Sequence, residues 1–231
     1  MRRLARWAGW VAIAAAAAFV AYEASILARL AWWRSHDPAS TAFMEERLER
    51  IREKKPAAKL RHQWVPYARI SGNLKRAIVA AEDAKFADHE GFDWEAMQKA
   101  WEKNQKRGKV VAGGSTISQQ LAKNLFLSGS RTPWRKAQEA MITVMMEAVM
   151  DKRRILEIYL NVIEWGDGVF GAEAAARHYF GTGAASLSPA QAARLAAMVP
   201  NPRFYDRNRG TPWLERKTQI ILDRMGAAEV P

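Results

Sequence analysis

The sequence predicts a mainly α-helical protein: one N-terminal transmembrane helix followed by a globular domain. Three observations lead there. Apolar residues recur at helical spacing along most of the chain, and no alternating strand pattern of useful length appears. Cap and stop signals bracket those stretches. A long apolar run begins close behind a cluster of arginines at the start. At 231 residues the chain fits one domain plus an appendage, and 49% hydrophobic residues suffice for a sizeable core. The formal net charge of +12 implies an anionic partner: nucleic acid, a lipid surface or a phosphorylated substrate. The absence of cysteine excludes disulfides and thiolate metal sites.

The N-terminal helix comes first. Arg2, Arg3 and Arg6 precede Trp7 to Tyr22, a run without charge. Apolar character continues past Glu23 and Arg29 to Trp32 and Trp33. A span from about Trp7 to Leu30 reaches the ~20 residues that a bilayer core requires. Trp7, Trp10, Tyr22, Trp32 and Trp33 lie near its edges, where aromatic belts form. No small-residue cleavage site leads into a polar mature start, which favours an anchor over a cleaved signal peptide. The arginines place the N-terminus in the cytoplasm and the rest of the chain outside the inner membrane. The expected division is 1–33 for the cytoplasmic stub and anchor, 34–69 for a linker and membrane-proximal segment, and 70–231 for the domain.

The other elements follow in order. FMEERLERIREKK reads as a short helix ended by Pro56, and WVPYARIS as a loop or short extended piece. Ser71 or Asn73 can cap a helix over Leu74 to Phe86. A second helix covers Trp94 to Lys106, and a basic Gly-rich loop, KRGKVVAGG, follows. Ser115 or Thr116 caps a helix to about Leu127. SGSRTP is a loop. Trp134 to about Met150 and Lys152 to Trp165 are helices with a break between them. GDGVFG is a loop, and Ala172 to Phe180 a short helix closed by Gly181. Ser188-Pro189 opens a helix to Met198 that VPNP ends. The last helix runs from Pro212 to Met225.

Three stretches carry chemistry. AEDAKFADHEGFD, Ala81 to Asp93, crowds acids at the end of an apolar helix. A metal site, a solvated helix end and an acid/base catalyst all fit. Ile78, Glu82 and Phe86 are spaced i, i+4, i+8, so Glu82 stands between apolar residues on an inward face. Burial there would raise its pKa, which suits proton transfer; a structural acid paired to a distant cation fits the position too. Asp83 lies a hundred degrees round the helix and can bind a basic side chain or backbone. His89 suits a helix-end hydrogen bond better than a metal.

In GGSTISQQLAKNLFL, Thr116 and Gln119 have capping-box spacing. Ile117, Leu121 and Leu125 form the buried stripe. Gln120, Lys123, Asn124 and Leu127 share another face with Gln119 beside it. That stretch holds no acid, so the face offers donors for sugar hydroxyls or phosphate, or is simply solvated. In SRTPWRKAQEAM, Arg135 and Lys136 precede Glu139 by four and three residues. Ordinary ion pairing explains that spacing, and it also places an acid beside two cations.

These motifs, followed by RRILEIYLNVIEWG and GAEAAARHYFG in the same order and spacing, resemble the peptidoglycan glycosyltransferases. The resemblance covers about Ile70 to Pro202. The chain ends too soon for a transpeptidase domain, and no Ser-x-x-Lys site is seen, so it resembles the monofunctional, membrane-anchored branch. The resemblance implies a lysozyme-like, mainly helical glycosyltransferase fold that polymerises lipid II. It implies Glu82 as general base toward the acceptor sugar 4-hydroxyl, and Glu139 as a second glutamate that positions or stabilises substrate. Lys123, Arg135 and Lys136 match the cations that hold pyrophosphate. Ser115, Thr116, Gln119, Gln120 and Asn124 match the motif lining the cleft. Asp83 and His89 belong to the acid motif and are counted with the substrate-binding set.

The chemistry agrees. An α-linked donor giving a β-1,4 product requires one inverting displacement. Pyrophosphate leaves as an anion, so cations can replace the general acid. No cofactor is firmly indicated; a divalent cation, Mg or Mn, can assist at the pyrophosphate, although the sequence shows no dedicated cage. Implied partners are lipid II, the growing lipid-linked strand, the inner membrane and other wall-synthesis or division proteins. Nucleic acid is excluded by the extracytoplasmic position. A lysozyme-type hydrolase would share the fold and one key glutamate but would not need the three cations or the anchor. A non-catalytic wall scaffold would not need Glu82 and Glu139.

Overall fold

A predominantly apolar stretch, without charge from Trp7 to Tyr22 and broken only by Glu23 and Arg29 after it, gives a single helix, α1 (Arg2–Trp33). The protein is described by a computed structural model covering residues 2–109, 111, 113–127, 129 and 132–231, with the side chains of residues 2, 4 and 5 outside the description. The expected loops at 106–114 and 128–133 lie partly outside it. Within α1, Arg6–Trp33 is long and apolar enough to cross a membrane. Its N-terminal half exposes Trp7, Trp10, Val11 and Ile13, with Trp7 71% exposed. Its C-terminal half behaves differently. Glu23, Ile26 and Leu30 are buried, and the Gln138 amide donates to Glu23 at 2.6 Å. The Arg29 guanidinium lies 4.6 Å from the Phe126 ring centroid. The expected span to Leu30 is therefore also a docking face: the last three turns of α1 are packed against the domain.

Side-chain oxygens start the next helices by accepting orphan backbone N–H groups. Thr41 caps α2 (Ala42–Arg52) and Ser71 caps α3 (Gly72–Glu82). Asp93 caps α4 (Trp94–Arg107), and Thr116 caps α5 (Ile117–Phe126) with the full capping box. Thr132 caps α6 (Pro133–Val149), and Asp151 caps α7 (Lys152–Val162). Gly181, in the left-handed conformation, closes α8 (Ala172–Phe180). Ser188 and Gln191 box the start of α9 (Pro189–Met198). Two further helices, α10 (Pro202–Arg207) and α11 (Pro212–Arg224), complete the set. Helix α9 packs on α3 and α11, and α5 packs on α6, α7 and α2. Between them Leu74, Ile78, Leu121, Ile142, Tyr159 and Trp165 are fully buried.

The structure departs from expectation in four places. Helix α3 stops at Glu82 rather than Phe86, because Asp83 takes a non-helical backbone and turns its carboxylate back to serve other donors. Phe86 is buried, but as part of the following turn. Helix α7 stops at Val162, because Glu164–Gly166 forms a strand, β2, beside β3 (Val169–Phe170). Strand β1 (Arg61–His62) runs parallel to β3, with Arg61 opposite Val169, and β2 pairs antiparallel on the other edge. Strands of two and three residues are too short to show alternation. Finally, Pro202 begins a new helix after VPNP ends the previous one.

Residues 34–69 are built into the domain. Met44 is buried, and Arg47 donates from Nε to Glu164 at 3.1 Å and from Nη2 to Asp167 at 2.8 Å. Together with β1, these contacts tie α2 to the sheet that closes one side of the cleft.

Candidate active site

Glu82 is the last residue of α3, where the helix face leaves the core and meets the cleft. It is half-buried. Gln120, on the polar face of α5, donates from Nε2 to Glu82 Oε2 at 2.9 Å. The Gln120 carbonyl oxygen accepts from the Tyr159 hydroxyl at 2.9 Å. Tyr159 is fully buried on α7, and burial raises its pKa, so the phenol stays a donor. A donor on the amide oxygen leaves only the NH₂ end to face Glu82. Burial raises the Glu82 pKa above the usual 4.5. The Gln120 hydrogen bond, Lys217 and Lys123 oppose that shift, and Asp83 adds to it. Replacing Tyr159 with phenylalanine frees the amide to turn. The expected results are a turnover about tenfold lower and an acid limb of the pH–rate profile at higher pH. Steady-state rates across pH check both, and an unchanged limb would disconnect Tyr159 from Glu82.

Asp83 points the other way. Its carboxylate accepts from His89 Nε2 at 2.9 Å and from the Ile117 backbone N–H at 3.0 Å. His89 Nδ1 in turn accepts from the Gly91 N–H at 3.1 Å, so the imidazole proton sits on Nε2. Gly91 has φ +88°, and a Cβ there would fall 2.8 Å from a Thr143 methyl. The Gly91 carbonyl accepts from Thr116 Oγ1 at 2.7 Å. Asp83, His89, Thr116 and Gln119 therefore form one buried seam that clamps the end of α3 to the start of α5. The seam sets where Glu82 and Gln120 meet.

The cations gather on α5 and α6. Glu139, 3% exposed, accepts from Arg135 Nη1 at 2.8 Å and from the Lys136 ammonium. Lys136 also reaches Ser115 Oγ at 3.4 Å. Burial lowers the Lys123 pKa; Arg135 and Lys136 lower it further, while Glu139 and Glu82 raise it. Lys123 thus feels both glutamates. A cavity of about 410 Å³ opens here, lined by Gln120, Lys123, Asn124, Arg135 and Tyr159. Arg135 Nε is buried with no hydrogen-bond partner among the described residues, a donor left over for an anion.

The donor set does not fit a protein-held metal ion. Among the described residues no cluster of three or more His, Cys, Asp or Glu is placed to hold one. The buried acids at and beside the cavity are already paired with cations, Glu164 with Arg47 and Arg203, and Glu139 with Arg135 and Lys136. The expected Mg or Mn therefore finds no ligand cage among these side chains.

This arrangement can be set against known proteins. A family model described as Transglycosylase matches residues 47–226. The chain belongs to the transglycosylase family. A biosynthetic peptidoglycan transglycosylase of Chromobacterium violaceum is 64% identical over 215 residues, covering 93% of this chain and 94% of its own. One from Nitrosospira multiformis is 62% identical over 226 residues, 98% of each chain. One from Dechloromonas aromatica is 60% identical over all of both chains.

Within this transglycosylase, three contributors had escaped sequence reasoning. Tyr159 lies inside RRILEIYLNV, but as one apolar-looking position of a buried helix it gives no local signal. Arg47 and Arg203 line the same cavity from segments far from the other motifs. Both lie within reach of Glu164, at 3.1 and 3.6 Å, and only the fold brings them together.

Proposed function

We propose that this transglycosylase polymerises lipid II into β-1,4-linked glycan strands of peptidoglycan by inverting glycosyl transfer, releasing polyprenyl pyrophosphate. The observation that carries the reading is the pairing of opposites at one cleft. A carboxylate of raised pKa, held by Gln120 of the cavity wall, lies within electrostatic reach of Lys123, and Arg135 and Lys136 act on Lys123 in turn. Glu82 takes the proton of the acceptor 4-hydroxyl as that oxygen attacks the donor anomeric carbon. The bond from that carbon to the pyrophosphate oxygen breaks, and the electron pair leaves with the pyrophosphate. The cations balance the charge that develops there, so no proton donor is required. Glu139 holds Arg135, which lines the cavity, and Lys136 one residue on. A raised Glu82 pKa places the base nearer neutrality, where both acceptance and later release of the proton are fast.

The anchor supports the same reading. A lipid-linked donor lies in the bilayer, and α1 holds the cleft beside it. With the N-terminus cytoplasmic, the domain is periplasmic, and the net charge of +12 suits anionic headgroups at that surface. The test is to incubate the detergent-purified chain with lipid II and separately with finished cell wall. Long lysozyme-sensitive polymer from lipid II is the expected product. Soluble muropeptides released from finished wall, with no polymer, would replace this reading with that of a hydrolase.

A further inference from the structure

A second and larger trough, about 690 Å³, adjoins the candidate active site and shares Arg47, Arg50, Asn201 and Arg203 with it. None of the sequence-predicted site residues lines it. Its far walls are Lys54 and Lys55, just past α2, and Arg207 at the end of α10. These three are exposed, and none takes part in a salt bridge among the described residues. The neighbouring acids are mostly spent. Asp167 pairs with Arg47, and Glu46 with Arg50. Glu53 alone remains against the excess of cations on the trough walls. A solvated charged face usually intersperses the two signs. Here segments far apart in sequence converge their cations on one concavity, which focuses a positive potential inside it. Phe204, 41% exposed, adds an apolar surface, and Asn201 an amide.

We propose that this trough is an extended subsite for the free carboxylates of the peptides that peptidoglycan carries, holding the strand as it continues past the reacting sugars. The inference rests on the proposed function. The chemistry favours carboxylates on a strand. The pyrophosphate already has its own cations around Lys123 and Arg135, whereas a glycan longer than the cavity must continue along an adjoining surface. Lys54, Lys55 and Arg207 line the same depression from two segments far apart in sequence. Their length and exposure suit carboxylates that arrive in varied conformations. Binding of this kind raises retention of the strand and so the length of product per encounter.

The test uses the full chain carrying Glu82→Gln, in which turnover is strongly suppressed. It is titrated with soluble disaccharide-peptide oligomers, either with free carboxylates or with those carboxylates amidated. The free form should bind about tenfold more tightly, as three exposed ion pairs together allow. Adding Lys54→Ala, Lys55→Ala and Arg207→Ala should abolish that preference without altering the melting temperature. In the otherwise parental chain, the same three changes should shorten the polymer made from lipid II. Equal binding of both oligomers, or a preference that survives the triple change, overturns the proposal. So does a triple variant that loses binding to phosphatidylglycerol vesicles while keeping its oligomer preference, since the trough would then serve a lipid surface. Failure of the parental chain to polymerise lipid II would instead sink the functional reading, and the oligomer titration does not depend on that result.

Discussion

Glu82→Gln is expected to lower the polymerisation rate by about 10²–10⁴-fold, the usual worth of a positioned general base. The side chain keeps its size and can still meet Gln120, so the loss reports the missing base. The same change should raise thermal stability at neutral pH. Burial lifts the folded-state pKa of Glu82 above its usual 4.5, so above pH 4.5 the unfolded chain ionises this group more readily than the folded one. The folded state then binds more protons, and its stability falls as pH climbs from 4.5 through the raised value. Glutamine removes that penalty. The stability gain should therefore be present near neutrality and vanish below pH 4.5, where both states carry the proton. Turnover with lipid II and melting curves at two pH values check the pair of effects. A variant with parental turnover would move the base elsewhere, with Glu139 next in line.

Arg47→Ala should cost about 3–5 kcal/mol of stability, the range for leaving a buried charge without its partner. Arg47 is 6% exposed and reaches both Glu164 and Asp167. Without it, the buried Glu164 carboxylate keeps one cation, Arg203 at 3.6 Å, and the Gly168 backbone hydrogen bond. Burial already raises the Glu164 pKa, and Arg47 is the main group opposing that rise. For a chain of this length the expected drop in melting temperature is roughly 10 °C. Arg47→Lys should recover little, because one ammonium cannot serve two carboxylates in a forked geometry. Since α2 and β2 both wall the cavity, activity should fall with stability. A melting temperature within a degree or two of the parent would show that α2 is held by its apolar face alone.

What could be read beforehand was local. The capping box of Thr116 with Gln119 and the Ser188-Pro189 cap mark two helix starts, and both form. The Arg135, Lys136 and Glu139 triad follows from helical geometry, as does the common face of Gln120, Lys123 and Asn124. What could not be read was set by distance or brevity. The sheet is made of strands too short for a period. The Arg47–Glu164 pair and the Tyr159–Gln120–Glu82 chain join segments that only the tertiary fold brings together. The end of α3 depended on a competition between continued helix and the donors waiting for Asp83, and those donors lie on other segments. The anchor was legible as an apolar span, but its docking through Glu23 to Gln138 was not.

The most direct test of the central claim is the pH dependence of kcat/KM for the parental chain with lipid II. A base whose pKa is raised by burial predicts an acid limb clearly above 4.5, with the rate rising as Glu82 loses its proton, and predicts that residual activity of Glu82→Gln lacks this limb. A limb at or below 4.5, or the same limb in Glu82→Gln, would contradict the assignment of Glu82 as the base.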